Sequence, residues 1–134
     1  MNETQSNIHF LKAVPPEQVV GITRSADLGI SFIENTCLSY YYCLPNKVFE
    51  YLSAEIPFIC SDLPDLRNEF EPYHVSWFVD TEERLAALIN SITKEEIVEK
   101  KRNVSLHKSR WTWDNEKQVI HSIYNKLLRP TENK

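Results

Sequence analysis

Short, largely apolar runs at residues 8–11, 27–33, 56–60 and 75–79 alternate with segments whose apolar residues recur at helical spacing. That alternation restricts the fold more than any other feature. Continuous apolar runs suit strands covered on both faces, as in parallel sheets. Strands that alternate with helices lead to a parallel sheet with helices packed on it. The sequence therefore predicts strands at 8–14, 27–33, 56–60 and 75–79, and helices over 15–25, 44–54, 63–70, 82–92, 94–107 and about 112–129. Pro15, Pro16 and Pro45 stand at helix starts, where a missing N–H is tolerated. Asp80 or Thr81 caps one helix, and Thr93-Lys94-Glu95-Glu96 has the form of a capping box. Gly29 marks a place where backbone or helix packs closely. The last helix carries Val119, Ile120, Ile123, Tyr124, Leu127 and Leu128 on a face that wants a partner, and Pro130 ends it. The expected fold class is α/β: a Rossmann-like parallel sheet flanked by helices, amounting to half or three quarters of a domain.

The 134 residues fit one domain. A net charge of -4 argues against a nucleic-acid surface, which usually carries a basic patch, so small molecules or proteins are the expected partners. Cys37, Cys43 and Cys60 give an odd count without a C-x-x-C pair, which suits reduced thiols rather than a disulfide framework or a zinc site. His9, His74, His107 and His121 are scattered without ligand spacing, and no metal is expected. The first residues hold no apolar leader core, and no 18-residue apolar stretch occurs, so the sequence suggests a cytoplasmic protein without a membrane span. Within 94–110, Glu95, Glu96 and Glu99 dilute the basic residues. A solvated helix face is the main reading there, with peripheral membrane contact left open.

Ligands of open α/β sheets bind outside the carboxyl ends of strands, near helix N-termini. That rule points to residues 34–44 and 61–65. In the helix that follows the first of these loops, Val48, Phe49 and Leu52 form the sheet-facing stripe, while Lys47 and Glu50 share another face. The free backbone amides around Asn46 and Lys47 make an anion site, and Lys47 adds a positive charge beside it. Glu50 lies five residues beyond Pro45, about 7–8 Å further along the axis at ~1.5 Å rise per residue, a spacing that suits a diphosphate and the ribose hydroxyls of one nucleotide. The same two side chains also have the spacing of an ordinary i,i+3 ion pair. Tyr40, Tyr41 and Tyr42 suit either stacking on a base or packing against another domain. Asp62 and Asp65 are expected to cap the helix that begins at Leu63.

The run from Asp27 through Phe70 resembles the C-terminal domain of GT-B glycosyltransferases of the large retaining family 4 (group 1). The likeness rests on Pro45-Asn46-Lys47-Val48-Phe49-Glu50-Tyr51-Leu52, on Ile56-Pro57-Phe58-Ile59 with Ser61-Asp62, and on Ala26-Asp27-Leu28-Gly29 before them. Trp113 and the amphipathic segment to Leu128 are similar to that family's closing helix. The resemblance implies that residues 1–134 are a partial donor-binding domain, an incomplete half of a two-domain enzyme. It implies a nucleotide-sugar donor such as a UDP- or GDP-sugar as substrate, no further cofactor, and glycosyl transfer to an acceptor hydroxyl in glycan or glycoconjugate (polysaccharide) synthesis. Glu50 would bind the donor ribose, and Leu44, Pro45, Asn46 and Lys47 would approach the diphosphate with backbone amides. Tyr42 and Glu34 would border the pocket.

Three departures accompany the resemblance. Many members have a second glutamate eight residues before the one that matches Glu50, and Tyr42 stands there. Glu55 occupies the position where a helix-ending glycine is usual. The basic phosphate-clamping residues and the acceptor domain are not among these 134 residues. The chain alone should therefore not catalyse transfer, and an N-terminal glycosyltransferase domain is the implied partner. Two alternatives stand beside this reading. One is a non-catalytic truncated module that docks such a domain, or another protein, through 119–128. The other is an unrelated doubly wound domain that binds some other anion.

Overall fold

A computed structural model describes residues 7–128 of the chain. Its centre is a three-stranded parallel sheet in the order β1 (Gly29–Ser31), β2 (Phe58–Ser61), β3 (Ser76–Val79). Around it lie α1 (Pro16–Thr23), α2 (Leu38–Tyr41), α3 (Asn46–Ser53), α4 (Pro64–Phe70), α5 (Glu82–Ser91), α6 (Lys94–His107) and α7 (Trp113–Leu128), with short 3-10 turns at Glu71–Tyr73 and Lys108–Trp111. Every residue of β2 is buried, as a central strand covered on both faces requires. Phe58 and Cys60 point to one side, where they meet Val48 and Leu52 of α3, Leu66 and Phe70 of α4, and Val104 of α6. The α/β class and the Rossmann-like parallel sheet are those expected from the sequence.

The strand expected at 8–14 does not form. Ile8 and Leu11 are exposed, and Phe10 is 94% exposed. A strand exists only by pairing, and among the described residues nothing pairs with this segment. The sheet accordingly has three strands rather than four. α2 is a further difference, a single turn inside a segment expected to be loop. Pro130, the expected end of the last helix, lies outside the described residues.

Helix ends follow their local chemistry. Thr81 accepts a hydrogen bond from the Arg84 amide and caps α5. The capping box at α6 is complete: Thr93 accepts from the Glu96 amide at 3.2 Å, and the Glu96 carboxylate accepts from the Thr93 amide at 2.8 Å. The C-terminus of α3 shows why a glycine is usual at position 55. Glu55 takes a left-handed φ of 63°, while its amide bonds the Leu52 carbonyl and the Ile56 amide bonds the Tyr51 carbonyl, the Schellman pattern. Glutamate holds this unfavourable conformation with its side chain engaged by Lys108 at 2.7 Å, Ser105 at 3.1 Å and Arg24 at 3.8 Å. The hydrogen bonds from Lys108 and Ser105 keep its carboxyl below the usual carboxylate range.

Gly29 is required by a close approach. A methyl group there would lie 2.6 Å from the Tyr51 ring, which is fixed in turn by a 2.8 Å hydrogen bond from its hydroxyl to the Ile30 carbonyl. Gly29→Ala should therefore destabilise the chain by about 1–3 kcal/mol, as overpacking does. Urea unfolding measures it. A change below about 0.5 kcal/mol would show that Tyr51 swings aside freely.

Candidate functional site

The carboxyl end of β1 and the N-terminus of α3 meet around a cleft. The cavity has a volume of 400 Å³ and is lined by Ile30, Ser31, Phe32 and Ile33 from the strand end and by Pro45, Asn46 and Lys47 from the helix start. Its position obeys the rule that ligands sit outside the carboxyl ends of parallel strands. Ser61 fixes the geometry. Its hydroxyl, at the end of β2, accepts from the Ile33 amide at 2.6 Å and donates to the Ile33 carbonyl at 2.8 Å. The strand end that floors the cleft is thereby tied to the neighbouring strand. In the sequence Ser61 is marked for this role only as the polar residue that closes the apolar run Ile56-Pro57-Phe58-Ile59-Cys60.

Pro45 precedes α3 as its N-cap residue in extended conformation, and no side chain caps the helix. The helix therefore presents its first amides to the cleft without a side-chain acceptor in front of them. Lys47 is exposed beside them, and Glu50 is half-buried about one turn on. These two charged residues do not pair with each other: among the described residues the ion pairs involve other groups. The bland i,i+3 pair open to them is thus not formed.

The remaining expected residues are dispersed. Leu44 does not line the cleft but a separate, largely apolar cavity of 410 Å³, with Phe49, Trp111 and Trp113. Tyr42 is exposed and stands edge-on to Tyr41 at 4.7 Å. Tyr41 itself packs against the core. Glu34 is exposed directly after Ile33 and does not line the cleft.

At the second predicted loop, capping by aspartate is not what occurs. Leu63 is the N-cap residue of α4, without a side-chain bond. Asp62 instead accepts two hydrogen bonds from Arg67, at 2.7 and 2.6 Å, and Arg67 also reaches Glu71. The fork geometry of guanidinium and carboxylate outcompetes a cap here. Hydrogen bonding from Arg67 holds the Asp62 carboxyl below its ordinary range, and the guanidinium lies 4.8 Å from the centre of the Phe78 ring. Asp62 is thus already satisfied, whereas Lys47 and Glu50 form no ion pair among the described residues.

His74 stands at the amino end of β3, the wrong end for the cleft. Its carbonyl accepts from Lys100 and Asn103 of α6, each at 3.3 Å. The basic residues of 94–110 are only partly a solvated face, because several have partners within the chain. Lys100 lies over the Trp77 ring, Lys108 pairs with Glu55, and Arg110 lies over Tyr73. Trp111 is a core-closing residue that donates to Glu69 at 2.6 Å and packs on Phe70 and Tyr73. Among the described residues, no helix is long and apolar enough to cross a membrane.

A parallel sheet flanked by helices, with a cleft between its first strand end and an uncapped helix, defines a Rossmann-like half-domain. The chain belongs to the glycosyl transferase-like family, whose model matches residues 2–122. That membership makes it a glycosyltransferase domain, with transfer of a glycosyl group as its general chemistry. No curated protein matches it.

Proposed function

We propose that the chain is the donor-binding part of a retaining GT-B glycosyltransferase of family 4, and that it holds a nucleotide sugar in the cleft between β1 and α3. The observation that supports this reading is the pairing of uncapped amides at Asn46 and Lys47 with the Lys47 ammonium in the cleft wall and the Glu50 carboxylate about one turn on, outside the lining, neither of which has an ion-pair partner among the described residues. The amides and the Lys47 ammonium receive the diphosphate, since helix N-termini favour anions. The Glu50 carboxylate, about one turn further on, accepts hydrogen bonds from the ribose hydroxyls. Transfer to an acceptor hydroxyl would then depend on positioning and on stabilising the leaving diphosphate. The acceptor domain and the basic phosphate clamp come from outside these residues, so the isolated chain binds donor without transferring it. Glycan or glycoconjugate assembly on the cytoplasmic side is the setting this reading implies.

Calorimetric titration with UDP, GDP and ADP tests the assignment. One nucleotide should bind selectively, and Glu50→Ala should weaken it by more than about 1 kcal/mol, the loss of a charged hydrogen bond. A folded chain that binds none of the three would sink the donor-site reading. A second reading, a non-catalytic docking module, would then stand; the exposure of the apolar residues along α7 favours it.

A further inference from the structure

Side-chain hydroxyls hold the backbone of the strand end that lines the cleft. Ser61 reaches Ile33 from β2. Tyr51 reaches the same strand from α3, where its hydroxyl donates to the Ile30 carbonyl at 2.8 Å. We propose that Tyr51 is a positioning residue of the cleft, and that its hydroxyl fixes how α3 faces the end of β1. That the ligand held between them is a nucleotide sugar rests on the function proposed above; the bridge itself does not.

The path of β1 leaves this carbonyl open to a side chain. Gly29 bonds β2 through its amide, which donates to the Pro57 carbonyl at 2.9 Å. Successive residues of a strand face opposite ways, so the backbone groups of Ile30 turn away from β2. Among the described residues β1 is an outer strand of the sheet, and its outward carbonyl takes a side-chain donor.

Gly29 makes the reach possible. The Tyr51 ring lies over this residue, where an added methyl carbon would stand 2.6 Å from it. Phe58 of β2 backs the ring at 6.0 Å between centres. A tyrosine side chain turns about only two torsions, so a ring confined in this way delivers its hydroxyl to one place.

Position on the helix gives the bond its consequence. Tyr51 directly follows Glu50, and Lys47 lies four residues before it, on the same face one turn back. Val48 and Leu52 are buried and hold α3 on the core, but apolar contact is non-directional. A hydrogen bond is directional. The bond to Ile30 therefore sets the angle at which the first turn of α3, with its free amides, meets the strand end. Ile30 and Lys47 both line the cleft, so the bridge ties one wall to the helix that forms the other.

Hydrogen exchange of the whole chain without ligand, parent beside Tyr51→Phe, tests the bridge. The substitution keeps the ring over Gly29 and removes only the donor. Amides of Gly29, Ser31 and Ile33 should exchange about 5-fold faster, the factor for one lost hydrogen bond, while those of β3 and α6 keep their rates. Equal acceleration everywhere would reflect global stability alone and overturn the positioning role, as would unchanged rates at β1. Calorimetry then reads the consequence for binding. Inorganic pyrophosphate and the nucleotide that the parent selects should both bind Tyr51→Phe more weakly, by about 5-fold or more, because both sit between the walls. Glu50→Ala, which removes only the ribose contact, should weaken the nucleotide and leave pyrophosphate as it was. A chain that has lost one hydrogen bond stays almost wholly folded, so partial unfolding does not produce that contrast. Affinities in Tyr51→Phe equal to the parent's would overturn the role of the hydroxyl even if exchange is faster. A parent that binds neither ligand would remove the donor reading and leave the exchange rates to decide the bridge.

Discussion

Phe70→Ala is expected to remove about 3–5 kcal/mol of stability, the range for deleting a fully buried aromatic ring. Phe70 has no exposed surface and sits where several elements converge. Its ring lies 5.3 Å from that of Phe58 in β2, 5.9 Å from Phe49 in α3 and 5.6 Å from Trp111 in the turn that leads to α7. Alanine would leave a void lined by three aromatic rings, each attached to a different element, and no one element can shift to fill it without leaving another. A domain of this size is stable by about 5–15 kcal/mol, so the variant should be marginal at 25 °C. Phe70→Leu, which keeps most of the volume, should cost much less, about 1.5 kcal/mol. Urea unfolding of both variants checks the pair. A loss below about 1 kcal/mol for alanine would mean that Trp111 collapses into the space and that the ring cluster is not a shared support. The consequence reaches the cleft. Phe49 lies on the same helix as Lys47 and Glu50, so loosening Phe70 also loosens the helix that carries them.

What was legible in the sequence, and what was not, follows from how far each signal reaches. Residues 56–60 declare a buried strand, since the run is apolar without interruption, and β2 is the central strand. Thr93 and Glu96 declare a helix start, because a capping box needs only four consecutive residues. Gly29 was readable as a close approach, though the identity of Tyr51 as its neighbour was not. The apolar segment at 8–11 has the same composition as a strand and fails as one, because pairing depends on a neighbour that local sequence does not describe. Asp62 shows the same limit. Its place before Leu63 matches a cap, yet Arg67, five residues on, takes both carboxylate oxygens. Glu55 shows the converse: the missing glycine was visible, whereas the remote Ser105 and Lys108 that hold the residue in place belong to the tertiary structure alone. At the cleft, the local features of the α3 start were readable at Pro45, Asn46 and Lys47. The Ser61 bridge to Ile33, which joins residues 28 positions apart, was not.

Alkali should destabilise this chain through Cys60. The thiol is fully buried in β2, and burial, which penalises the thiolate, pushes its pKa up to about 12. In the unfolded chain the same thiol ionises near the ordinary value of 9.0. Between those limits the unfolded state has released a proton that the folded state retains, so stability falls as pH rises. The contribution is complete below pH 9, declines through the interval and levels off above about 12, for a total of roughly 4 kcal/mol at 1.36 kcal/mol per unit. Tyr51, also raised chiefly by burial, adds a smaller decline of the same sign at higher pH. Urea midpoints at pH 7, 9 and about 10.5 should therefore fall steeply in the parent chain and less so in Cys60→Ala. Equal slopes in the two proteins would assign the alkaline loss to other groups. Thiol labelling gives an independent reading of the same site. At pH 8 the raised pKa alone lowers the thiolate population about a thousandfold, so iodoacetamide should modify exposed Cys37 first and leave Cys60 untouched until the sheet opens. Rapid labelling of Cys60 under native conditions would mean that β2 is reached by solvent far more often than its complete burial implies.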